Sequence, residues 1–311
     1  MFDELIQNAK TIAIGGHVRP DGDCVGAVMA MYLYLSENYK EKKVDAYLES
    51  IPESFHFLTK TDQIKHEVEK DLDYDLFISL DCGDIERLGF SIPIFKSAKN
   101  TCCIDHHVSN QSFAKENYIV PSASSTCELV FQLLNHDHIS KAIAEALYLG
   151  IVHDTGVFQY SNVSPSTLQA AAFLLQQNID APSIISNTFY KKSFAQNKVL
   201  GKCLLESNIY KEGKVISSFL TKKEMDTYQV GAKDLDGIVN QLQNTQGVEL
   251  AIFMYELFEG HYKVSLRSLD CIDVSEIAMN YGGGGHKKAA GFDVSGNPQD
   301  IISDVIGKIK W

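Results

Sequence analysis

The sequence predicts an α/β protein: a parallel sheet with helices on both faces, then a smaller α+β domain with a mostly antiparallel sheet. Three observations predict this. Short apolar, β-branched runs alternate with helical stretches through the first half, strand-like runs joined by Glu-Gly turns fill the end, and polar clusters follow the early runs. In open α/β sheets ligands bind beyond the carboxyl ends of the strands, which is where those clusters fall. A chain of 311 residues has room for two domains.

Taken in order, Thr11 to Gly16 reads as a short buried strand. Val25 to Leu35, apolar almost all round, reads as a helix packed inside an α/β layer. Asp21 and Asp23 therefore fall in a strand-to-helix turn. The next strands are Val44 to Leu48, Leu76 to Leu80 ending at Asp81, and Thr101 to Ile104 ending at Asp105. Helical stretches at Ser125 to Leu134 and Ser140 to Val152 make the connections parallel. Asp180-Ala181-Pro182 and the polar run from Asn187 to Lys198 mark a boundary, giving domains 1–185 and 201–311 with a linker 186–200. Beyond it, Glu206 to Tyr210, Val215 to Leu220, Val248 to Leu257 and Tyr262 to Leu269 read as strands, with turns at Glu212-Gly213 and Glu259-Gly260.

Lys plus Arg number 28 against 40 Asp plus Glu, a formal charge of −12, which argues against a surface for long duplex nucleic acid. A small anionic substrate still fits, because two divalent cations would bring about four positive charges into a cleft. The longest apolar stretch, Ala142 to Val152, is too short to span a membrane and contains Glu145. The start, Met1-Phe2-Asp3-Glu4, lacks a basic then apolar leader, so the expected location is cytoplasmic. Seven scattered cysteines, with no Cys-x-x-Cys pair, suggest neither a disulfide framework nor a thiolate zinc site.

Four segments carry hard ligands at the ends of apolar runs: His17 to Asp23, Ser79 to Asp84, Cys103 to His107, and Gly150 to Gly156. His17 and Asp21 could face one ion and Asp23 a second, and imidazole mixed with carboxylate suits Mn²⁺, Fe²⁺ or Zn²⁺ better than Mg²⁺ or Ca²⁺. Asp23 alone would also serve as an N-cap for a helix starting near Cys24. Asp81, at a strand end, could bridge two ions, or be a turn residue. Two adjacent imidazoles after a buried strand gain nothing for packing, so one of His106 and His107 can ligate while the other faces substrate. Asp105 can orient a histidine from behind. Arg87 reads as a phosphate contact or a surface cation, and Ser124-Ser125-Thr126 as a phosphate contact or a cap.

Together, His17-x-x-x-Asp21-x-Asp23, Asp81, Asp105-His106-His107 and Asp154 resemble the DHH phosphoesterase superfamily. Tyr281-Gly282-Gly283-Gly284-Gly285-His286 through Phe292 resembles the glycine-rich signature of its DHHA1 partner domain. Order and spacing are similar to the stand-alone nanoRNase/pAp-phosphatase branch. The resemblance implies two Mn²⁺ per active site, one held by His17, Asp21 and Asp81, the other by Asp23, Asp81, His106 and Asp154. It implies catalytic roles for Asp81, Asp105 and His107, the last contacting the scissile phosphate or protonating the leaving oxygen. Substrate would be gripped by Arg267, Gly283, Gly284, Gly285 and His286, with Arg87 as a further contact; glycine amides can cradle a phosphate. The implied activity is hydrolysis of short oligonucleotides, linear dinucleotides such as pApA and pGpG, and 3′-phosphoadenosine 5′-phosphate (pAp). A cyclic-di-AMP phosphodiesterase is the alternative, followed by an inorganic pyrophosphatase and a nucleotide-sensing module with a dead centre. The implied partner is a small nucleotide, not a membrane or a long duplex, and a homodimer is allowed.

Overall fold

A computed structural model describes residues 2–68 and 73–310, and the chain divides into two compact units, Met1–Lys191 and Lys192–Trp311. The first unit begins with α1 (Phe2–Asn8), β1 (Thr11–Gly15), α2 (Gly22–Asn38), β2 (Lys43–Tyr47), β3 (Leu76–Leu80), α3 (Ile92–Ser97), β4 (Asn100–Asp105) and β5 (Glu116–Ile119). It continues with α4 (Thr126–Leu133), α5 (Lys141–Asp154), α6 (Pro165–Gln176) and α7 (Ala181–Ile185). Among the described residues its five strands are all parallel, in the order β2-β1-β3-β4-β5. That order reverses direction at β1, so a crevice opens beyond the carboxyl ends of β1 and β3.

Alternation along the strands explains why they read as unbroken apolar runs. Ile12, Ile14, Leu76, Ile78 and Ile104 face the helices α2, α4 and α5. Ala13 and Phe77 face a thinner layer with Leu88, Ile94 and Phe95. Both faces are covered, as parallel sheets require. Every residue of α2 from Gly22 to Leu35 is buried. Its Val28, Met29, Leu33 and Leu35 are fully buried, each contributing about 1.5–3 kcal/mol. Close packing of α2 on α5 needs small residues: a Cβ on Gly26 would stand 2.5 Å from the Ala146 carbonyl oxygen.

The second unit contains α8 (Phe194–Leu205), β6 (Asn208–Tyr210), β7 (Val215–Leu220), α9 (Lys222–Tyr228), α10 (Ile238–Gln243), β8 (Leu250–Phe258) and β9 (His261–Ser268). After these come α11 (Val274–Met279), β10 (Gly284–His286), β11 (Ala289–Ser295) and α12 (Pro298–Gly307). Its six strands run β10-β11-β9-β8-β7-β6, antiparallel except for the β7–β8 pair. One face packs Ile252, Met254, Val264 and Leu266 against α11 and α12 residues such as Ile277 and Ile302. On the other, Ala251 and Phe253 meet Val199 of α8 and Leu242 of α10.

Residues 186–200, expected as a linker, are mostly helical. Ser186–Tyr190 forms a π turn, and α8 starts on a reciprocal capping box between Ser193 and Gln196. The cap, with Val199 and Cys203 as buried anchors, outweighs the weak apolar face that the polar sequence presents. Among the described residues no helix is long and apolar enough to cross a membrane, and all seven cysteines are free.

Candidate metal centre

The four ligand-bearing segments converge at the carboxyl ends of β1, β3 and β4. His17 follows β1, and its Nδ1 lies 2.9 Å from the Val18 carbonyl oxygen. A carbonyl only accepts, so Nδ1 carries the proton and Nε2 is the outward donor atom. That Nε2 stands 3.6 Å from Asp21 Oδ2 and 3.4 Å from Asp81 Oδ2. The neighbouring Val18 N–H donates to the Arg87 carbonyl at 2.7 Å, which pins this turn to the segment after β3.

Asp81 sits at φ +58°, in the left-handed region that Asp tolerates better than most side chains. Its carboxylate is divided among three imidazoles. Oδ2 faces His17, while Oδ1 lies 3.7 Å from His106 Nε2 and 3.6 Å from His107 Nδ1. His106 Nε2 is also 3.1 Å from Asp154 Oδ2 and 3.9 Å from Asp23 Oδ2. Two donors each about 2.1 Å from one ion stand about 3.0–3.4 Å apart, so these spacings fit ligands closing on shared cations. Among the described residues, His17–Cys24–Asp81, Asp81–His106–His107 and Asp23–His106–Asp154 each cluster tightly enough to hold an ion. The donor chemistry therefore fits divalent metal.

Asp21 approaches His17 alone, and its side chain is 60% exposed. It is Asp21, not Asp23, that caps α2, accepting from the N–H groups of Asp23 and Cys24 at 3.1 Å each. Asp23, fully buried in the first turn, points instead to the start of α4, where Thr126 N–H (2.6 Å) and Cys127 N–H (2.9 Å) donate to its two oxygens. The sequence does not distinguish these roles, because both acids precede the helical apolar run. Cys24 is an unanticipated neighbour: its sulfur accepts the His17 N–H at 3.2 Å, and burial pushes its thiol up to about 12, so it stays protonated.

Acidic crowding governs the protonation states. Burial pushes the Asp23 carboxyl well above its ordinary value, and the nearby charges of Asp81 and Asp154 push it further. Burial and Asp81 likewise raise Asp154, against the opposing pull of His106. Burial alone would lower His17 and His106, but hydrogen bonds and charge from the surrounding carboxylates win, raising His17 strongly and His106 to about 10. A site that raises both acids and imidazoles is short of positive charge. Asp21 is the exception: the His17 hydrogen bond and charge outweigh the desolvation its neighbours impose and hold it at about 2.

Asp105 and His107 form a separate dyad. Asp105 is fully buried at the end of β4, and its Oδ1 lies 2.7 Å from His107 Nδ1. Asn110 Nδ2 donates to Asp105 Oδ2 at 2.7 Å. Burial would raise Asp105, but these two hydrogen bonds lower it. The ionised carboxylate in turn raises His107, whose ring is 39% exposed toward the cleft. Asn110 was not anticipated; its only signal is its place in the turn after the two histidines. Gly150 opens the fourth segment, but its contact role has no sequence signal: a Cβ there would stand 2.6 Å from Asp23 Oδ1 and 2.2 Å from Cys127 Sγ.

Arg87 lies in the 3₁₀ segment Ile85–Ser91, with its N–H on Asp84, the cap of that segment. His153 packs edge-on between Phe55 and Phe189, and burial lowers it to about 4, a neutral core histidine. In the second unit, pairing sets Arg267 opposite Ala289, and Ala289 opposite His286. Directly paired residues share a face, so Arg267 and His286 stand on one face two strands apart, about 10 Å. The adjacent row is Ser265, Gly291, Gly284, a floor free of large side chains. Gly282 and Gly283 are committed to ending α11, donating to Met279 and Ala278 carbonyls at 3.1 and 3.0 Å, so the expected amide cradle loses Gly283. Gly285 holds φ +144°, and a Cβ there would meet the Ala289 oxygen at 2.5 Å.

Comparison with known proteins agrees with this division. A model described as the DHH family N-terminal domain matches residues 11–151, and one described as the DHHA1 domain matches 212–310. A bifunctional oligoribonuclease and PAP phosphatase NrnA from Mycoplasma genitalium is 32% identical, over 98% of this chain and 96% of its own. Its namesake from Bacillus subtilis is 28% identical over 94% and 93%. The crystal structure of an exopolyphosphatase-related protein from Bacteroides fragilis superposes with a TM-score of 0.88 at 26% identity, covering 99% of this chain and 93% of that one.

Proposed function

The chain belongs to the DHH–DHHA1 phosphoesterase family, and from that premise we propose that it hydrolyses short oligoribonucleotides, linear dinucleotides and pAp at a two-metal centre. The single observation that carries the reading is Asp81, whose two oxygens address different imidazoles and so can serve two ions at once. His17, Asp21 and Asp81 would hold one ion, and Asp23, Asp81, His106 and Asp154 the other. The mixed imidazole and carboxylate set suits Mn²⁺, Fe²⁺ or Zn²⁺, of which the family resemblance implies Mn²⁺. Held there, two such cations would make water more acidic near neutral pH and would offset the charge of the phosphoryl oxygens.

The protein's own groups do the rest. His107, whose charged form the buried Asp105 carboxylate favours, would donate a proton to the leaving oxygen. Arg87 borders the turn that carries His17 and is a candidate for the scissile phosphate. Arg267 and His286 flank the small-residue floor of the second unit, where a guanidinium can take a non-reacting phosphate through paired donors.

The test is turnover of pAp, pApA, pGpG, cyclic di-AMP and pyrophosphate after chelation and readdition of Mn²⁺, Zn²⁺ or Mg²⁺, with products separated by chromatography. Fast hydrolysis of pAp or the linear dinucleotides, restored best by Mn²⁺, is the expected result. Preferential hydrolysis of pyrophosphate, or turnover indifferent to chelation, would refute the proposal.

A further inference from the structure

Behind the centre lies a buried polar scaffold that the ligand set does not include. Thr126, the first residue of α4 and fully buried, makes two contacts with two different acids. Its N–H donates to Asp23 Oδ2 at 2.6 Å, and its hydroxyl donates to Asp81 Oδ1 at 3.0 Å. The residues before it are fixed from both sides. Glu128 accepts from Ser124 N–H (3.0 Å), Ser124 Oγ (2.6 Å) and Thr167 Oγ1 (2.9 Å), while Asn162 Nδ2 donates to the carbonyls of Ser124 (2.9 Å) and Asp154 (3.0 Å). Ser125 caps α4 by accepting the Glu128 N–H at 3.0 Å. An ordinary helix start needs the cap and nothing from a threonine hydroxyl, so helix formation alone does not account for the bond to Asp81.

We propose that Thr126 is the positioning residue of the centre: one side chain and its own amide set the orientations of both Asp81 and Asp23. The inference rests on the two-metal reading above. Through its hydroxyl, Thr126 occupies one lone-pair direction of Asp81 Oδ1, turning the remaining one toward the His106 side. Through its N–H it fixes the Asp23 oxygen nearest His106. Partners of this outer kind tune affinity by holding ligands at the right angle rather than by touching the ion.

The experiment is Mn²⁺ titration of chelator-treated wild type, Thr126→Val, Thr126→Ala and Thr126→Ser, with free Mn²⁺ read by electron paramagnetic resonance and the thermal midpoint recorded alongside. Val keeps the shape and the N–H but loses the hydroxyl; Ser keeps the hydroxyl. Val and Ala are expected to weaken Mn²⁺ binding by about 10–100-fold, with Ser tracking the wild type. Should Val fail to fold, the Ala–Ser pair decides. Wild-type affinity in the Val and Ala variants, or a Ser variant as weak as Ala, overturns the assignment and makes Thr126 a packing residue. Wild type that binds no Mn²⁺ overturns the metal centre itself, a separately recognisable result.

Discussion

Replacing Asp81 by Asn probes the shared carboxylate with the least collateral change. Position 81 has φ +58°, which Asn tolerates nearly as well as Asp, whereas Ala would add about 1 kcal/mol of backbone strain and blur the result. The carboxylate is 2% exposed and faces donor nitrogens at 3.4 and 3.7 Å. A unit charge interacting with an opposite charge at about that spacing is worth about 4 kcal/mol at an effective dielectric of 20. At about 1.4 kcal/mol per decade, losing one such interaction lowers turnover by about a thousandfold. Phosphate release from pAp at saturating Mn²⁺ gives the rate, Mn²⁺ titration gives the affinity, and circular dichroism confirms the fold. A variant retaining more than about a tenth of wild-type turnover, against that thousandfold expectation, would refute the bridging role.

Gly150→Ala should displace Asp23, since its Cβ has no room beside Oδ1; weakened Mn²⁺ binding in a folded protein is expected, and unaltered affinity would mean that Cys127 alone yields. Arg267→Ala should raise KM for dinucleotides by about 10–100-fold, the loss of a charge-assisted contact worth about 1.5–3 kcal/mol, while a nitrophenyl phosphodiester is hydrolysed as before. Equal losses on both substrates would assign Arg267 a structural role. The pH dependence follows from His106, whose value of about 10 in the metal-free protein exceeds its ordinary 6.5. Its stabilising contribution is complete below 6.5 and disappears as pH rises through 10. Metal-free protein should therefore lose thermal stability over that window while Mn²⁺ affinity climbs, because binding must displace the proton; midpoints and affinities that stay flat with pH would contradict this.

Much of the centre is legible in the sequence because buried parallel strands write themselves as unbroken apolar runs. Each of β1, β3 and β4 announces the acid or histidine that follows it. Less legible is anything that depends on a partner far along the chain. Asp21 and Asp23 look interchangeable until α4 arrives to claim one of them. Asn110, Gly150 and Thr126 carry no periodic signal, since their roles are set by what stands opposite in space. The edge strand β5 is half-buried throughout and lacks an apolar run, and α8 depends on its capping box more than on amphipathicity. The glycine run shows the reverse problem: four residues that look alike divide between ending a helix and opening a hairpin.

The donors differ sharply in how deeply they are set. Asp23 and Asp81 are at most 2% exposed, while side chains of His106, Asp154 and Asp21 are 17%, 26% and 60% exposed. An inner wall anchored in the buried helix α2 and at the end of β3 has no slack to follow an ion of different radius, whereas the rim can. Discrimination among cations by size thus belongs to the outer donors, so alterations at Asp21 or Asp154 should retune which metal is preferred, where alterations at the inner pair silence the centre altogether.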